Sequence, residues 1–369
     1  MAFSRMLKIA IFADPLSAGL IASLVAARLP KTTCNIDLFI NEKIETPSEI
    51  YARPNIRHVH QLLQITEAEL MRFAEARMVL SLPANSYKAG DFQLPLGDYG
   101  YPIKGCAFQH YWFRAFSANK AKDFEHYNFA LRLSESDIIY GEAPAHCPKI
   151  SPGYVFNGEA YAKLLLSKAR EMGSLELKSG NMQLKHLSDE HTQVRIDEDI
   201  NEYDLIFNVD GGLEELGRNG WVGNYVSIQP ERSHEGLFLY QIQSALERIF
   251  NIWSQSSDNR IECQEYNRLL EAETEHIQDM KQLLAGPLSD ETEGQLSRKI
   301  NLFEVMGRIP FEDYDLFSRA EWMAAMRSVG IKALGYNRLA DRLSLDEIAN
   351  HLAQLDETMS KQIKVKCQA

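Results

Sequence analysis

The first forty residues carry the pattern of a strand, a helix and a second strand, and this pattern constrains the fold more than any other feature. The buried apolar run 7–13 predicts the first strand, the stretch 18–29, rich in Ala and Leu, predicts the helix, and residues 35–41 predict the second strand. A strand, a tight turn, a helix and a parallel strand form a βαβ unit, which is normally right-handed. The chain is therefore predicted to begin with an α/β domain.

The turn between the first strand and the helix departs from the pattern that binds dinucleotides. Such a turn carries G-x-G-x-x-G, because two bare glycines let the backbone approach a pyrophosphate at the helix N-terminus. Here it reads Asp14-Pro15-Leu16-Ser17-Ala18-Gly19. Asp14 places a negative charge beside the pyrophosphate position, and Leu16 adds a branched side chain. Only the third glycine, Gly19, remains, and we expect it to pack the helix on the strand.

Composition and charge exclude several classes of protein. Of 369 residues, 45% are hydrophobic and 24% are charged, which is typical of a globular protein. The net charge of -12 argues against nucleic-acid and membrane partners. No stretch is long and apolar enough to span a membrane, and the N-terminal apolar run is better explained as a strand than as a signal peptide. The five cysteines are scattered and form no C-x-x-C pair, which predicts free thiols and a cytoplasmic location.

The order of predicted elements divides the chain into two domains. Residues 1–235 are predicted to form the α/β domain, with a buried strand at 203–208 and an aromatic-rich insertion at 83–117. The Gly- and Pro-rich stretch 83–105 predicts either a long ordered loop or short antiparallel strands. Residues 236–369 are predicted to form a helical subdomain, because apolar residues recur there at helical spacing.

Three segments, taken together, resemble the flavin-dependent tryptophan halogenases. The first reads Phe92-Gln-Leu-Pro-Leu-Gly-Asp-Tyr-Gly100 and continues in Ala107-Phe-Gln-His-Tyr-Trp-Phe-Arg114. The second reads Trp221-Val-Gly-Asn224 and continues in 262–268 and 276–279, and the third is the helical tail 311–339. The resemblance covers nearly the whole chain. It implies a three-layer Rossmann-like FAD-binding domain of the flavoprotein monooxygenase type, with a helical C-terminal subdomain.

The residues that the family uses for chemistry are replaced in this chain. The family's catalytic lysine falls on Val79, so no catalytic residue is predicted. The Gly-Asp pair that contacts flavin falls on Gln229-Pro230, and the two loop glycines are absent. The resemblance thus implies a degenerate, shortened member without halogenase activity and with no cofactor, acting as a binding or regulatory partner of another protein.

An alternative keeps the enzyme class. The chain would then be an FAD-dependent oxidoreductase that holds flavin through altered contacts, because a helix N-terminus binds anions even without glycines. The residues that would carry the cofactor under this alternative are Ser17, Ala18, Gly19, Glu42, Asp210 and Gly211.

The aromatic cluster within the insertion has two interpretations. Stacked rings suit a flat aromatic ligand such as an indole, which would make a pocket of Phe92, Tyr99, Phe108, His110 and Trp112. The same rings would serve equally as core beneath a loop, and this second interpretation is favoured by roughly two to one. No metal site is predicted. Glu273-x-x-His276 has diiron spacing, but a diiron bundle needs several such pairs on facing helices.

Overall fold

The structure, a computed structural model, describes residues 6–179, 182–188, 191–209, 219–233, 235–254, 258–286, 294–310, 312–313 and 315–367. The strands are β1 (Leu7–Ala13), β2 (Cys34–Ile40), β3 (Glu49–Ala52), β4 (Arg77–Val79), β5 (Ser81–Ser86), β6 (Gly90–Pro95), β7 (Gly153–Asn157), β8 (Ser174–Leu177), β9 (Met182–Ser188), β10 (His191–Ile196), β11 (Asp199–Asn201), β12 (Leu205–Val209), β13 (Gly220–Val222) and β14 (Tyr225–Ile228). The α-helices are α1 (Pro15–Arg28), α2 (Ile56–Leu62), α3 (Glu67–Phe73), α4 (Phe108–Ser117), α5 (Phe129–Glu135), α6 (Gly158–Met172), α7 (Leu237–Ile252), α8 (Arg260–Ala285), α9 (Gln295–Met306), α10 (Arg319–Ser328) and α11 (Leu345–Cys367).

The chain forms two compact units, and the first comprises Met1–Arg77 and Tyr154–Glu271. Its centre is a six-stranded sheet in the order β13-β14-β12-β1-β2-β8. Strand β1 runs parallel to β2, with Leu7 opposite Cys34 and Ala13 opposite Ile40, and it also runs parallel to β12. The predicted parallel βαβ unit is therefore confirmed, and with it the Rossmann-like α/β fold.

Layers of different kinds cover the two faces of this sheet. On one face, Ala10 and Phe12 of β1 share a core with Val194 of the antiparallel sheet β9–β11. Because side chains alternate along a strand, Ile9 and Ile11 point to the opposite face. Both are fully buried there. A helical layer, the six-stranded sheet and the antiparallel sheet β9–β11 are the three layers that the family resemblance implied.

Helix α1 is buried along nearly its whole length because it is covered by a second helix. Its residues from Leu16 to Ala26 are buried. A Cβ added to Gly19 would lie 3.1 Å from both the carbonyl oxygen of Ala162 and Cβ of Leu165, which are in α6. The prediction that Gly19 packs the helix against a strand is therefore wrong. Its missing side chain lets the backbone of α1 approach a neighbouring helix.

The second unit comprises Met78–Gly153 and Ala272–Ala369. Within it β5 and β6 pair antiparallel, with Leu82 opposite Leu94, so the Gly- and Pro-rich stretch forms short strands. The predicted division at residue 235 differs from this one, because 83–117 falls in the same unit as the C-terminal helices. Whether 1–235 and 236–369 fold as separate domains stays a prediction. Among the described residues, no helix has the length and apolar character that crossing a membrane requires.

Local signals in the sequence locate several helix ends. The Thr66 side chain accepts from the backbone of Glu69, and the Glu69 side chain accepts from the backbone of Thr66, which completes a capping box at the start of α3. The same reciprocal bonds join Ser344 and Glu347 at the start of α11. Helix α3 ends at Phe73, and β4 begins at Arg77.

Candidate functional site

The N-terminus of α1 is the place where a dinucleotide-binding fold holds a phosphate, and here Asp14 fills it. Asp14 is the N-cap of the helix and is fully buried. Its Oδ1 accepts from the backbone N–H of Leu16 at 3.0 Å and of Ser17 at 3.2 Å. Its Oδ2 accepts from the Ser17 hydroxyl at 2.5 Å. The backbone donors that would face an anion are thus bonded to a carboxylate of the chain itself.

A cation on a distant segment completes this arrangement. The Arg232 guanidinium donates to Oδ2 of Asp14 at 2.9 Å and lies over the ring of Phe238 at 4.5 Å from its centroid. The Arg232 side chain is 28% exposed, whereas Asp14 is wholly enclosed. The N-terminus of α1, the Ser17 hydroxyl and the Arg232 guanidinium therefore surround the Asp14 carboxylate. Donors of these three kinds commonly bind a phosphate group.

The structure gives a different environment to each residue proposed for flavin contact. Ser17 and Ala18 are fully buried, and the Ala18 N–H donates to the carbonyl oxygen of Asp14 at 2.9 Å. Gly19 is buried against α6. Glu42 lies just after β2 and is exposed. Asp210 and Gly211 lie outside the described residues.

Two further residues lie where the resemblance places the family's chemistry. Val79, which the resemblance aligns with the lysine, ends β4 and is half-buried. Gln229, which it aligns with the Gly-Asp pair, follows β14, and its N–H donates to the Asn219 side chain at 3.3 Å. A valine side chain has no nitrogen that could carry an electrophilic halogen.

Three of the five predicted pocket residues form one aromatic cluster in the second unit, and Phe124 is at its centre. Tyr99 stacks on Phe124 with centroids 4.0 Å apart, and Trp112 lies 4.8 Å from the same ring. Phe108 lies 6.2 Å away. Tyr99, Phe108 and Trp112 are each at most 5% exposed. Burial raises the pKa of the Tyr99 hydroxyl, whose oxygen has no hydrogen-bond partner among the described residues.

The other two predicted pocket residues lie apart from these stacked rings. Phe92 is half-buried on β6 and makes no ring contact within the described residues. His110 is buried on α4, and its Nδ1 accepts from the backbone N–H of Asn337 at 3.3 Å. Burial, reinforced by the nearby charge of Arg308, lowers the pKa of His110. A neutral, bonded histidine is what a structural role requires.

The space beside these rings is small. Phe108 and Tyr111 line a cavity of about 10 Å³ together with residues of α11. This volume is close to the minimum that holds one water molecule, and an indole is many times larger. The rings therefore fill one another's space, which agrees with the interpretation of the cluster as core.

Sequence reasoning identified Asp14 as a misplaced charge but did not identify its partner. Arg232 is 218 positions away along the chain, and nothing around it marks a binding site. Phe124 was likewise missed, since it lies beyond the aromatic run on which the pocket was based. A short 3-10 helix, Phe124–Tyr127, brings it back to the cluster.

Comparisons with known proteins agree with the fold and with the family resemblance. The family model described as tryptophan halogenase matches residues 15–216 and 218–344. Among solved structures, BrvH, a flavin-dependent halogenase from Brevundimonas sp. BAL3, is similar, with a TM-score of 0.84 and 15% identity over 98% of this chain and 97% of that one. Xcc4156, a flavin-dependent halogenase from Xanthomonas campestris, has a TM-score of 0.82 and 17% identity over 97% of this chain and 96% of that one.

A tryptophan 6-halogenase from Streptomyces toxytricini is also similar, with a TM-score of 0.75 and 11% identity over 98% of each chain. No curated protein sequence matches this chain. Identities this low establish the fold alone, whereas the family model covers most of the residues. The chain therefore belongs to the tryptophan halogenase family.

Proposed function

We propose that this chain is a halogenase-family protein that does not carry out FAD-dependent halogenation and acts instead through binding to another protein. One observation carries the proposal. Asp14, a fully buried carboxylate, occupies the N-terminus of α1 and is bonded to Leu16, Ser17 and Arg232. The residues present therefore do not fit a flavin dinucleotide bound in the family's manner.

The energetic cost of placing a diphosphate there is large. Two like charges 4 Å apart repel by about 4 kcal/mol at the effective dielectric constant of a protein surface, and a diphosphate carries more than one charge. The phosphate would also lack the N–H groups of Leu16 and Ser17, each worth about 1–3 kcal/mol as a charge-assisted bond. Losses of this size exceed what a single new contact returns.

The absence of the family's lysine supports the same conclusion independently. Val79 stands at that position. A valine can neither form a covalent bond to an electrophilic halogen nor donate a hydrogen bond to it. Even with flavin present, the family's transfer step would have no residue to perform it here.

A binding role is supported by how much of the fold remains. The six-stranded sheet and the capping boxes are intact although the chemistry is replaced. The cavity beside Phe108 holds about 10 Å³, so a flat aromatic molecule does not fit there, and the partner that we propose is another protein.

A second candidate function is supported by the comparisons. The chain belongs to a family of flavin-dependent enzymes, and similar solved structures are described as flavin-dependent halogenases. Under this candidate the chain is an FAD-dependent oxidoreductase that holds the cofactor through Ser17, Ala18, Gly19, Glu42, Asp210 and Gly211. Asp14 would then have to release the N–H groups that it now binds.

Flavin binding distinguishes the two candidates. We expect the purified protein to show no flavin absorbance. We also expect the fluorescence of FAD at high micromolar concentration to stay unchanged when the protein is added. Asp14→Asn is the informative variant, since it removes the charge but keeps an N-cap acceptor. Weak FAD binding by this variant alone would identify the carboxylate as the barrier. Stoichiometric flavin in the unaltered protein, with bromination of free tryptophan, would refute the proposal and establish the second candidate.

A further inference from the structure

A group of charged side chains lies buried in the second unit, apart from the residues considered above. His276 and Asp279 are on α8, Lys299 is on α9, and Glu312 and Asp315 follow α9. The ligand-type atoms of His276, Glu312 and Asp315 all lie within 4.8 Å of one another. These atoms are an imidazole nitrogen and two carboxylate oxygens, which are ligands that divalent transition metals accept.

The hydrogen bonds of His276 determine which ring nitrogen faces the carboxylates. Nε2 lies 3.2 Å from the backbone carbonyl oxygen of Asp313, and a carbonyl oxygen can only accept. Nε2 therefore carries the proton. Nδ1 is buried, has no hydrogen-bond partner among the described residues, and lies 3.6 Å from Oε2 of Glu312. In the neutral ring, a nitrogen lone pair is thus directed toward a carboxylate.

Two lone pairs facing each other in a buried site require a cation between them. A histidine that binds a metal commonly donates its other ring N–H to a backbone carbonyl, which is the bond that His276 makes to Asp313. A metal ion on Nδ1 would satisfy both the imidazole and Glu312. The other solution is a second proton on the ring.

The ammonium group of Lys299 lies among these carboxylates but does not balance them. Lys299 is fully buried, with Nζ 2.8 Å from Oε2 of Glu312 and 3.2 Å from Oδ2 of Asp315. Its Nζ donates a hydrogen bond to Asp315 and makes an ion pair with Glu312, but neither oxygen of Glu312 makes a hydrogen bond among the described residues. Asp279 adds a third carboxyl group with a buried, unpartnered oxygen. One ammonium group therefore lies among three carboxyl groups.

Asp315 is held in a fixed orientation, as the carboxylate ligands of metals commonly are. Its Oδ1 accepts from the N–H of Phe317 at 3.0 Å, and its Oδ2 accepts from the indole N–H of Trp322 at 2.8 Å. The Lys299 ammonium lies 3.9 Å from the Trp322 ring centroid. Lysine and indole together fix this carboxylate, whereas Glu312 is held by its ion pair with Lys299 and makes no hydrogen bond among the described residues.

We propose that His276, Glu312 and Asp315 bind a divalent transition-metal ion, with Nδ1 as the imidazole ligand. No metal site was expected from the sequence, because a diiron bundle needs several Glu-x-x-His pairs and these three residues form no such pattern. The mixed nitrogen and oxygen donors, without cysteine, suit Zn²⁺ or Mn²⁺ better than Ca²⁺ or Mg²⁺. The ion would join α8 to the segment that follows α9.

The test measures metal content and metal-dependent stability on the full chain. We expect Zn²⁺ or Mn²⁺ added to chelator-treated protein to bind with one ion per chain and to raise the melting temperature, while Mg²⁺ does not. His276→Gln and Glu312→Gln should each weaken binding by at least about tenfold. Glu304→Gln is the matched control, because Glu304 lies on α9 outside this group of residues.

Two results would overturn the proposal. One is the absence of binding by the unaltered protein at millimolar Zn²⁺ and Mn²⁺. The other is equal affinity in His276→Gln, Glu312→Gln and Glu304→Gln. Nitrogen NMR of His276 that shows both ring nitrogens protonated would then identify the imidazolium as the balancing cation. Should a variant fail to fold, the metal content and chelator response of the unaltered protein still decide the question.

Discussion

Replacement of Asp14 by alanine should destabilise the protein by about 3 kcal/mol. Loss of an N-cap acceptor costs about 0.5–2 kcal/mol. The Ser17 hydroxyl, which donates to Asp14 at 2.5 Å, would lose its acceptor in a buried place, at a cost of about 1–3 kcal/mol. The ion pair with Arg232 adds about 1 kcal/mol, because that side chain is 28% exposed and reaches water. These contributions share one carboxylate and therefore do not add fully.

Asp14→Asn separates the cap from the charge. Asparagine is as good an N-cap as aspartate, so this variant should keep the backbone bonds from Leu16 and Ser17 through its amide oxygen and lose the ion pair. The Ser17 hydroxyl can no longer donate at the former Oδ2 position, but it can accept from the amide group that replaces it. We expect it to cost about 1 kcal/mol. Urea denaturation followed by far-UV circular dichroism measures both variants. Glu265→Ala is the control, since Glu265 also pairs with an arginine but has a side chain that is 42% exposed, and its loss should change stability no more than an ordinary surface substitution does.

The reasoning fails if Asp14→Ala is as stable as the unaltered protein to within about 0.5 kcal/mol, the range of ordinary surface substitutions. Equal destabilisation by Asp14→Ala and Asp14→Asn would also contradict it, because the cap would then contribute nothing beyond the charge.

Three other residues give predictions of different kinds. Burial, with a smaller contribution from Arg57, lowers the pKa of His60 from 6.5 to about 4. The folded state then binds fewer protons than the unfolded one, so acidification from pH 6.5 toward 4 should reduce the free energy of unfolding by up to about 1.4 kcal/mol per pH unit. Urea denaturation at pH 7 and at pH 5 measures this change, and the free energy of unfolding should depend less on pH in His60→Gln than in the unaltered protein. Gly100→Ala should reduce the free energy of unfolding by about 2–4 kcal/mol, because φ is +52° and a Cβ would lie 2.1 Å from the Phe108 ring. A lower melting temperature in thermal denaturation would show this loss. Trp112→Ala should cost about 3–5 kcal/mol, since Trp112 is 1% exposed, and calorimetry should detect no indole binding to the unaltered protein. Indole binding that Trp112→Ala abolishes without loss of stability would restore the pocket interpretation.

The elements that sequence reasoning predicted best are those with local signals. Strand β1 follows from the apolar run at 7–13, and the capping box of α3 follows from Thr66 and Glu69. Each of these patterns involves residues only a few positions apart, so it can be recognised in the sequence. Helix α6 likewise begins directly after Asn157, whose side chain accepts from the backbone of Ala160 three residues later. Here local propensity and tertiary packing favour the same structure.

Contacts between distant segments could not be predicted in this way. The pairing of Arg232 with Asp14, the contact of Gly19 with α6, and the approach of Glu312 to His276 all join residues that no local pattern relates. Asp14 shows the difference. The sequence revealed that a phosphate would be repelled, but only the structure shows the carboxylate acting as the helix's own anion.

The strand order of the central sheet has a consequence for synthesis on the ribosome. Strand β1 lies between β2, which follows within about thirty residues, and β12, which begins at Leu205. A nascent chain therefore has one edge of β1 unpaired while roughly 190 further residues are added, which takes about 10–40 s at ordinary elongation rates. During that interval a flat apolar edge is open to other chains. Cells in which a chaperone binds the nascent chain should therefore recover more of this protein in soluble form.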